Sequence, residues 1–403
     1  MSGRHDTDFP IGRSIDLRTL AADPFPIYAQ LLEHEPVSYV PALRMYFVTR
    51  YADVCELLQD DRHFVVGTDN SVIFDIFGSH MMTVENPEHD RLRKPHQPFF
   101  LPPAVRQNLE SGIRAHADRL IDGFAADGEV DLRQAFASRL PVLTMLTLFG
   151  LDLDDEPQLR DWYDTFELAL SNFTWDPSIR ADGKRSAAGF RQLIQQYLDR
   201  LRAAPAACQQ DSLLAMMLGK QNSGLSDEEI CRNALIIFFG GISTVEALIL
   251  NTLYALHCHP QSLARVRSDA SLLPRAINET VRWQGPVQSA TRHVVEDLTV
   301  LGHAFRAGDT VNCMLGAANR DPAVFASPEV FDIDRQDAAR HVGFAVGPHH
   351  CLGSHLARAE ARIALECLFA RLPQLRLDDD RLETPVGYEF RRPPSAVAAW
   401  QPA

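Results

Sequence analysis

Between positions 343 and 353 the chain reads Gly-Phe-Ala-Val-Gly-Pro-His-His-Cys-Leu-Gly and passes directly into a helical pattern, Ser354-His355-Leu356-Ala357-Arg358-Ala359-Glu360. No other segment restricts the possible folds as much. Gly347 and Gly353 flank Cys351 without side chains, so a flat ligand can approach the backbone closely. Cys351 sits at the start of a predicted helix, where unpaired N–H groups and the macrodipole favour an anionic sulfur. Phe344 shields the turn. A lone thiolate cradled by glycines suits axial haem ligation. Two other readings compete. Cys351 could be a small buried hydrophobe, the usual fate of a free cysteine. It could also join His349, His350 and His355 around zinc, but no second Cys/His pair at suitable spacing supports that site.

A second feature is the long apolar run within Asp227–His257, which contains Ile236-Ile237-Phe238-Phe239-Gly240-Gly241-Ile242-Ser243-Thr244-Val245-Glu246. Two glycines in mid-helix weaken it, and the Thr244 hydroxyl can bond back to the Gly240 carbonyl. A kink there leaves room for a small ligand, and close helix packing around the glycines is the plainer alternative. The stretch from Ala234 to Leu256 is long enough to span a membrane. Ser243, Thr244, Glu246 and Asn251 in mid-span favour a helix buried in a protein core instead.

Helical periodicity extends over Pro26–Glu33, Ala104–Ala125, Ala187–Arg202, Leu273–Trp283 and Cys351–Arg371. Short extended runs occur at Val37–Val40, Met45–Thr49, Ala290–Val294 and Thr310–Met314. The expected fold is therefore mainly α with small β-sheets, an α+β class. Thr68 to Met82 reads as an irregular, apolar loop suited to covering a binding site. The net charge of −14 argues against nucleic acid as a partner. Seven cysteines without a Cys-x-x-Cys pair fit a reducing cytoplasm, and the N-terminus lacks the apolar core of a secretory signal.

The cysteine segment resembles the haem-binding loop of cytochrome P450, Phe-x-x-Gly-x-His/Arg-x-Cys-x-Gly. Phe344, Gly347, His349, Cys351 and Gly353 match it, and Ala345 stands where bacterial members usually carry a second glycine. The resemblance runs from Asp23-Pro24-Phe25-Pro26 to Glu389-Phe390-Arg391. It implies a triangular-prism fold forming a single haem-thiolate domain over residues 1–403, with haem b held by Cys351 and no fused reductase. It also implies a buried network of Glu279, Arg282 and Arg335. Three other Glu-x-x-Arg matches, Glu88–Arg91, Glu229–Arg232 and Glu389–Arg392, show how little that pattern says alone. His89 and Arg93, one helical turn apart, match the family's contacts to haem propionates, as do Arg292 and His349. Distant segments thus serve one ligand, which argues against a domain split.

The family's oxygen-activating pattern, Ala/Gly-Gly-x-Asp/Glu-Thr, is met by Gly240, Gly241 and Thr244, but Ser243 replaces the acid. Protons would then come through a water chain at Ser243, from a substrate hydroxyl, or by a slower and leakier route. The implied activity is monooxygenation of a small, largely apolar substrate of the terpenoid, steroid, polyketide or aromatic class, using dioxygen. Family-like pocket positions are Ile73, Phe74, Phe77, Met82, Phe173, Phe238, Phe239, Ile242, Val287, Ala290 and Phe390. Gln288 or Ser289 is expected to orient one polar group. Oxidative coupling, peroxide-driven oxidation and gas binding without turnover are the alternatives. Electrons are expected from an external ferredoxin and its reductase, docking near Arg358 and Arg362, with no membrane involved.

Overall fold

The computed structural model describes residues 9–68, 71–172, 175–204, 212–219 and 224–402. Helices dominate, accompanied by a five-stranded, a three-stranded and a two-stranded sheet. In the largest sheet the order is Val37–Val40, Met45–Val48, Thr310–Cys313, Ala290–Val294, Phe64–Val65. Met45–Val48 runs parallel to Thr310–Cys313, with Tyr46 opposite Val311, and the other pairings are antiparallel. All four short extended runs expected from the sequence are strands of this sheet.

The centre is occupied by two consecutive helices, Asp227–Gly240 and Ser243–Cys258. The first starts with a reciprocal cap: the Glu229 N–H donates to the Ser226 hydroxyl at 3.3 Å, and the Ser226 N–H donates to the Glu229 carboxylate at 2.8 Å. The second packs against the helices Leu273–Gln284 and Ser354–Arg371. The most apolar window of Asp227–Cys258 is 78% buried within the protein, as expected for a core helix. Asn251 donates from its side-chain amide to the carbonyls of Gln284 and Arg391, both at 2.9 Å, which ties this helix to two distant segments.

Two expectations change. The run Ala104–Ala125 is two helices, Pro102–Asn108 and Glu110–Asp122, because Leu109 turns its side chain into the core with φ −122° and ψ −37°. The supposed irregular loop Thr68–Met82 contains a helix, Val72–Phe77. Ser71 caps it by accepting the Phe74 N–H at 3.5 Å, and Gly78, at φ 79°, ends it. Phe77 is completely buried against Phe166 and Phe239. Burying one such ring contributes about 1.5–3 kcal/mol, enough to hold a helix too short to be stable alone.

Candidate active site

The cysteine loop is closed by backbone bonds. The Cys351 N–H donates to the Phe344 carbonyl at 2.9 Å, and the His350 N–H donates to Gly347 at 3.1 Å. Gly347 adopts φ 78°, and a Cβ there would lie 2.4 Å from the Leu58 carbonyl oxygen, so only glycine fits. Ala345 adopts φ 55°, the left-handed region that strains any side-chain-bearing residue. That is the physical cost of the alanine at this position. Gly353 is different: a Cβ there would meet nothing within 4 Å. Arg358 stacks 4.2 Å above the Phe344 ring and donates to Asn278 at 2.9 Å.

The helix begins at Ser354, so Cys351 stands just ahead of it and not in its first turn. Burial pushes the Cys351 thiol upward, opposed by the Gly353 N–H and the charges of Arg93 and Arg358. Desolvation prevails over these opposing contributions. A coordinated cation would supply the missing charge. The zinc reading gains nothing: among the described residues no group of three His, Cys, Asp or Glu could hold a metal.

Behind the loop lies the only one of the four Glu-x-x-Arg matches that is wholly buried at both ends. Arg282 donates through Nε and Nη2 to both Glu279 oxygens at 2.8 and 2.7 Å. Arg335 joins at 3.2 Å and the Asp332 N–H at 3.0 Å. Arg282 also donates to the carbonyls of Asn319, Pro328 and Val330. Asn319 accepts the Val342 N–H at 2.7 Å, which carries the network into the cysteine loop. A buried ion pair needs such extra partners to offset its desolvation.

The four expected propionate contacts come together. The His89 and His349 rings lie 4.5 Å apart, Arg93 donates to the His350 carbonyl at 2.5 Å, and Arg292 is 5% exposed on its strand. Both ring nitrogens of His89 are buried without a hydrogen-bond partner. Burial, with His349 and Arg93 adjacent, drives His89 down to about 4. The sequence reading missed Glu85. Its carboxylate accepts from His349 Nε2 at 2.6 Å and from the Val66 N–H at 2.8 Å, and its charge reaches Arg292. No motif marks it; only the fold brings it among these cations.

The central helix breaks at Gly241–Ile242. Thr244 Oγ1 donates to the Gly240 carbonyl at 2.7 Å, as expected. Ile237, Gly240, Gly241 and Thr244, spaced three and four apart, form the accessible stripe of an otherwise buried segment. A Cβ on Gly240 would meet nothing within 4 Å. Ser243 faces away from that stripe: it is 1% exposed and its hydroxyl makes no hydrogen bond. Glu246 does not replace the absent acid, since Arg133 at 2.7 Å and Arg392 at 3.4 Å hold it on the other side.

Several pocket expectations are corrected. Phe77, Phe238 and Gln288 are fully buried and Ile242 nearly so; their side chains fill the core instead of facing open space. Gln288 is held by the Gly285 carbonyl at 2.6 Å. Ile73, Phe74, Met82, Val287, Ala290 and Phe390 keep partial exposure, and Phe239 reaches Phe390 at 6.2 Å. Phe173 lies outside the described residues. Ile237 was missed, although helical spacing from Gly240, Gly241 and Thr244 marks it. Ser289 donates to Glu389 at 3.2 Å, and burial raises that carboxyl. Arg358 and Arg362 are not free cations for a redox partner: Arg358 is engaged as described, and Arg362 pairs with Glu366 at 2.7 Å and Glu110 at 2.8 Å.

Taken as a donor set, these residues fit a haem. A cysteine between two glycines, open space beside Gly353 and Gly240, and an orphaned histidine among arginines match the iron, the flat ring and the anionic side chains of that group.

Residues 36–385 match the cytochrome P450 family. Cytochrome P450 monooxygenase PikC of Streptomyces venezuelae is 34% identical over 89% of this chain and 86% of its own. Vitamin D(3) 25-hydroxylase of Pseudonocardia autotrophica is also 34% identical, over 89% of both chains. The crystal structure of CYP109E1 from Bacillus megaterium in complex with testosterone superposes with a TM-score of 0.86 at 26% identity, covering 96% of this chain and 100% of that one. The chain belongs to the cytochrome P450 family: it is an oxidoreductase of the monooxygenase kind, and its cofactor is haem b.

Proposed function

We propose that this cytochrome P450 holds haem b through the Cys351 thiolate and oxygenates a small, largely apolar molecule at the cleft beside Thr244. What supports the reading is open space beside Gly353 and partial exposure of Cys351, together with the broken, accessible stripe of Ile237, Gly240, Gly241 and Thr244. His89, Arg93, Arg292 and His349 would hold the propionates, and Glu279, Arg282 and Arg335 would fix the loop. When bound, haem supplies reductive activation of dioxygen. The chain's own residues orient the substrate, exclude water and position the Thr244 hydroxyl on the Gly240 carbonyl.

The walls favour a terpenoid, steroid, polyketide or aromatic substrate, since Ile73, Phe74, Met82, Ile237, Val287 and Phe390 are apolar. The relatives acting on vitamin D and binding testosterone support that range. Ser289 donates to Glu389, the residue preceding Phe390, and that pair would orient a hydroxyl or amine of the substrate. With the Ser243 hydroxyl buried, the substrate's own hydroxyl becomes the better supported proton source. This keeps oxidative coupling as a second outcome of the same site. An external ferredoxin and reductase in the cytoplasm complete the reading, which includes one haem domain over the whole chain.

The test is the carbon monoxide difference spectrum of the reduced, haem-loaded protein. A strongly red-shifted Soret band is expected, and it should be lost in Cys351→His. A band unshifted in the native chain would overturn thiolate ligation. Spin-state shifts on adding apolar compounds would then rank substrates, and product mass separates oxygen gain from loss of two hydrogens.

A further inference from the structure

An unbroken helix would have the Ser243 amide donating to the carbonyl of Phe239 and the Thr244 amide to that of Gly240. Neither bond forms. The Gly240 carbonyl takes the Thr244 hydroxyl at 2.7 Å, and the Ser243 N–H donates to the phenolic oxygen of Tyr163 at 3.1 Å. Tyr163 belongs to the helix Glu156–Leu170, which packs on Pro177–Ala203 and is remote in sequence from every motif of the site. Its ring is 4% exposed and stacks on Phe239 at 5.7 Å and 18°, and burial keeps its hydroxyl protonated. At Gly241 a Cβ would lie 2.8 Å from the Met145 sulfur, so packing leaves no room for a side chain at the break.

We propose that Tyr163 is a positioning residue of the oxygen cleft. Its hydroxyl accepts the Ser243 amide, one of those that lose their helical acceptor at the break, holds the backbone open at Gly241–Ile242, and so keeps the Gly240 carbonyl committed to Thr244. The inference rests on the monooxygenase reading of the site, but the backbone contact at its base does not depend on turnover. Through the Phe239 stack, the same side chain ties the Glu156–Leu170 helix to Phe390 at the apolar wall and to the buried Phe77. Phe390 at that wall is thus linked to the break through Phe239 and Tyr163.

Tyr163→Phe removes the acceptor and keeps the ring. Two readouts on the haem-loaded protein decide the matter: amide hydrogen exchange over residues 237–246, and the infrared C–O stretching band of the reduced carbon monoxide complex. Loss of the only acceptor of a buried N–H is expected to accelerate exchange there by roughly tenfold or more. The C–O band is expected to broaden or shift as the cleft loses its fixed geometry. Ser243→Ala, which keeps the amide, is expected to leave the exchange unchanged. Native exchange in Tyr163→Phe overturns the proposal, as does an unaltered C–O band, or an equal acceleration in Ser243→Ala. A native chain without the red-shifted carbon monoxide band overturns the haem-thiolate reading instead, and leaves the exchange result standing.

Discussion

A methyl group added to either glycine of the cysteine loop is expected to act in opposite ways. At Gly347 the backbone is left-handed and the new Cβ would press on the Leu58 carbonyl at 2.4 Å. Gly347→Ala should therefore cost about 1–3 kcal/mol of folding stability, visible as a lower melting temperature even without haem. At Gly353 φ is an ordinary −86° and nothing lies within 4 Å. Gly353→Ala should melt like the native chain when haem-free, yet show a reduced haem-to-protein absorbance ratio, because the methyl occupies the space a flat ring needs. Full haem content in Gly353→Ala would remove that space from the site. At this scale the sequence was nearly sufficient: it named both glycines and Cys351. It could not say that one glycine serves the backbone and the other the ligand, because that depends on what stands opposite each.

The helix Ser354–Arg371 carries a buried acid unconnected with ligand binding. Glu360 is 0% exposed, accepts from the Thr144 hydroxyl at 2.9 Å, and has its second oxygen without a partner. Among the described residues no cation offsets this. Arg114 on the adjoining helix pairs with Glu366, Glu110 with Arg362, and Asp118 with Arg371; Glu246 faces Arg133, and the Glu279–Arg282 pair faces Arg335. Burial raises the Glu360 carboxyl from 4.5 to about 8. The folded chain thus binds a proton that the unfolded chain releases above about 4.5. Its contribution to stability is complete below that value and is lost as pH rises through about 8. Glu360→Gln, which keeps the amide shape and cannot ionise, should flatten the fall in melting temperature between pH 5 and pH 9 on the order of the shift itself. An unchanged pH profile would show that Glu360 is not the group responsible. Helical periodicity predicted this element well, but it gave position 360 no special meaning. Which of its residues meet a neighbour without counter-charge is a property of packing.

At the scale of the whole molecule, the proposed site draws residues 89, 244, 292 and 351 onto one ligand, and a group that bridges them should stabilise the entire fold. Haem in thousandfold excess over its dissociation constant adds roughly 4 kcal/mol. Removing it should therefore lower the melting temperature in one cooperative step, measurable by calorimetry of loaded and stripped protein. Identical melting of both forms would mean that the four segments do not share the ligand. The sequence by itself determined the class of fold, four of the five strands of the main sheet, the cysteine loop and the Glu279–Arg282 pair. Each is written in local terms: period, turn chemistry or a spaced motif. Tertiary structure decided the rest. Phe77, Phe238 and Gln288 turned out to be core, Glu85 joined the His89–His349 cluster, Arg358 and Arg362 were already paired, and Tyr163 reached Ser243 across 80 positions. The physical reason is that a side chain's partner across the fold leaves no trace in its own sequence neighbourhood. Whether it faces open space, a charge or another ring is fixed only when distant elements pack.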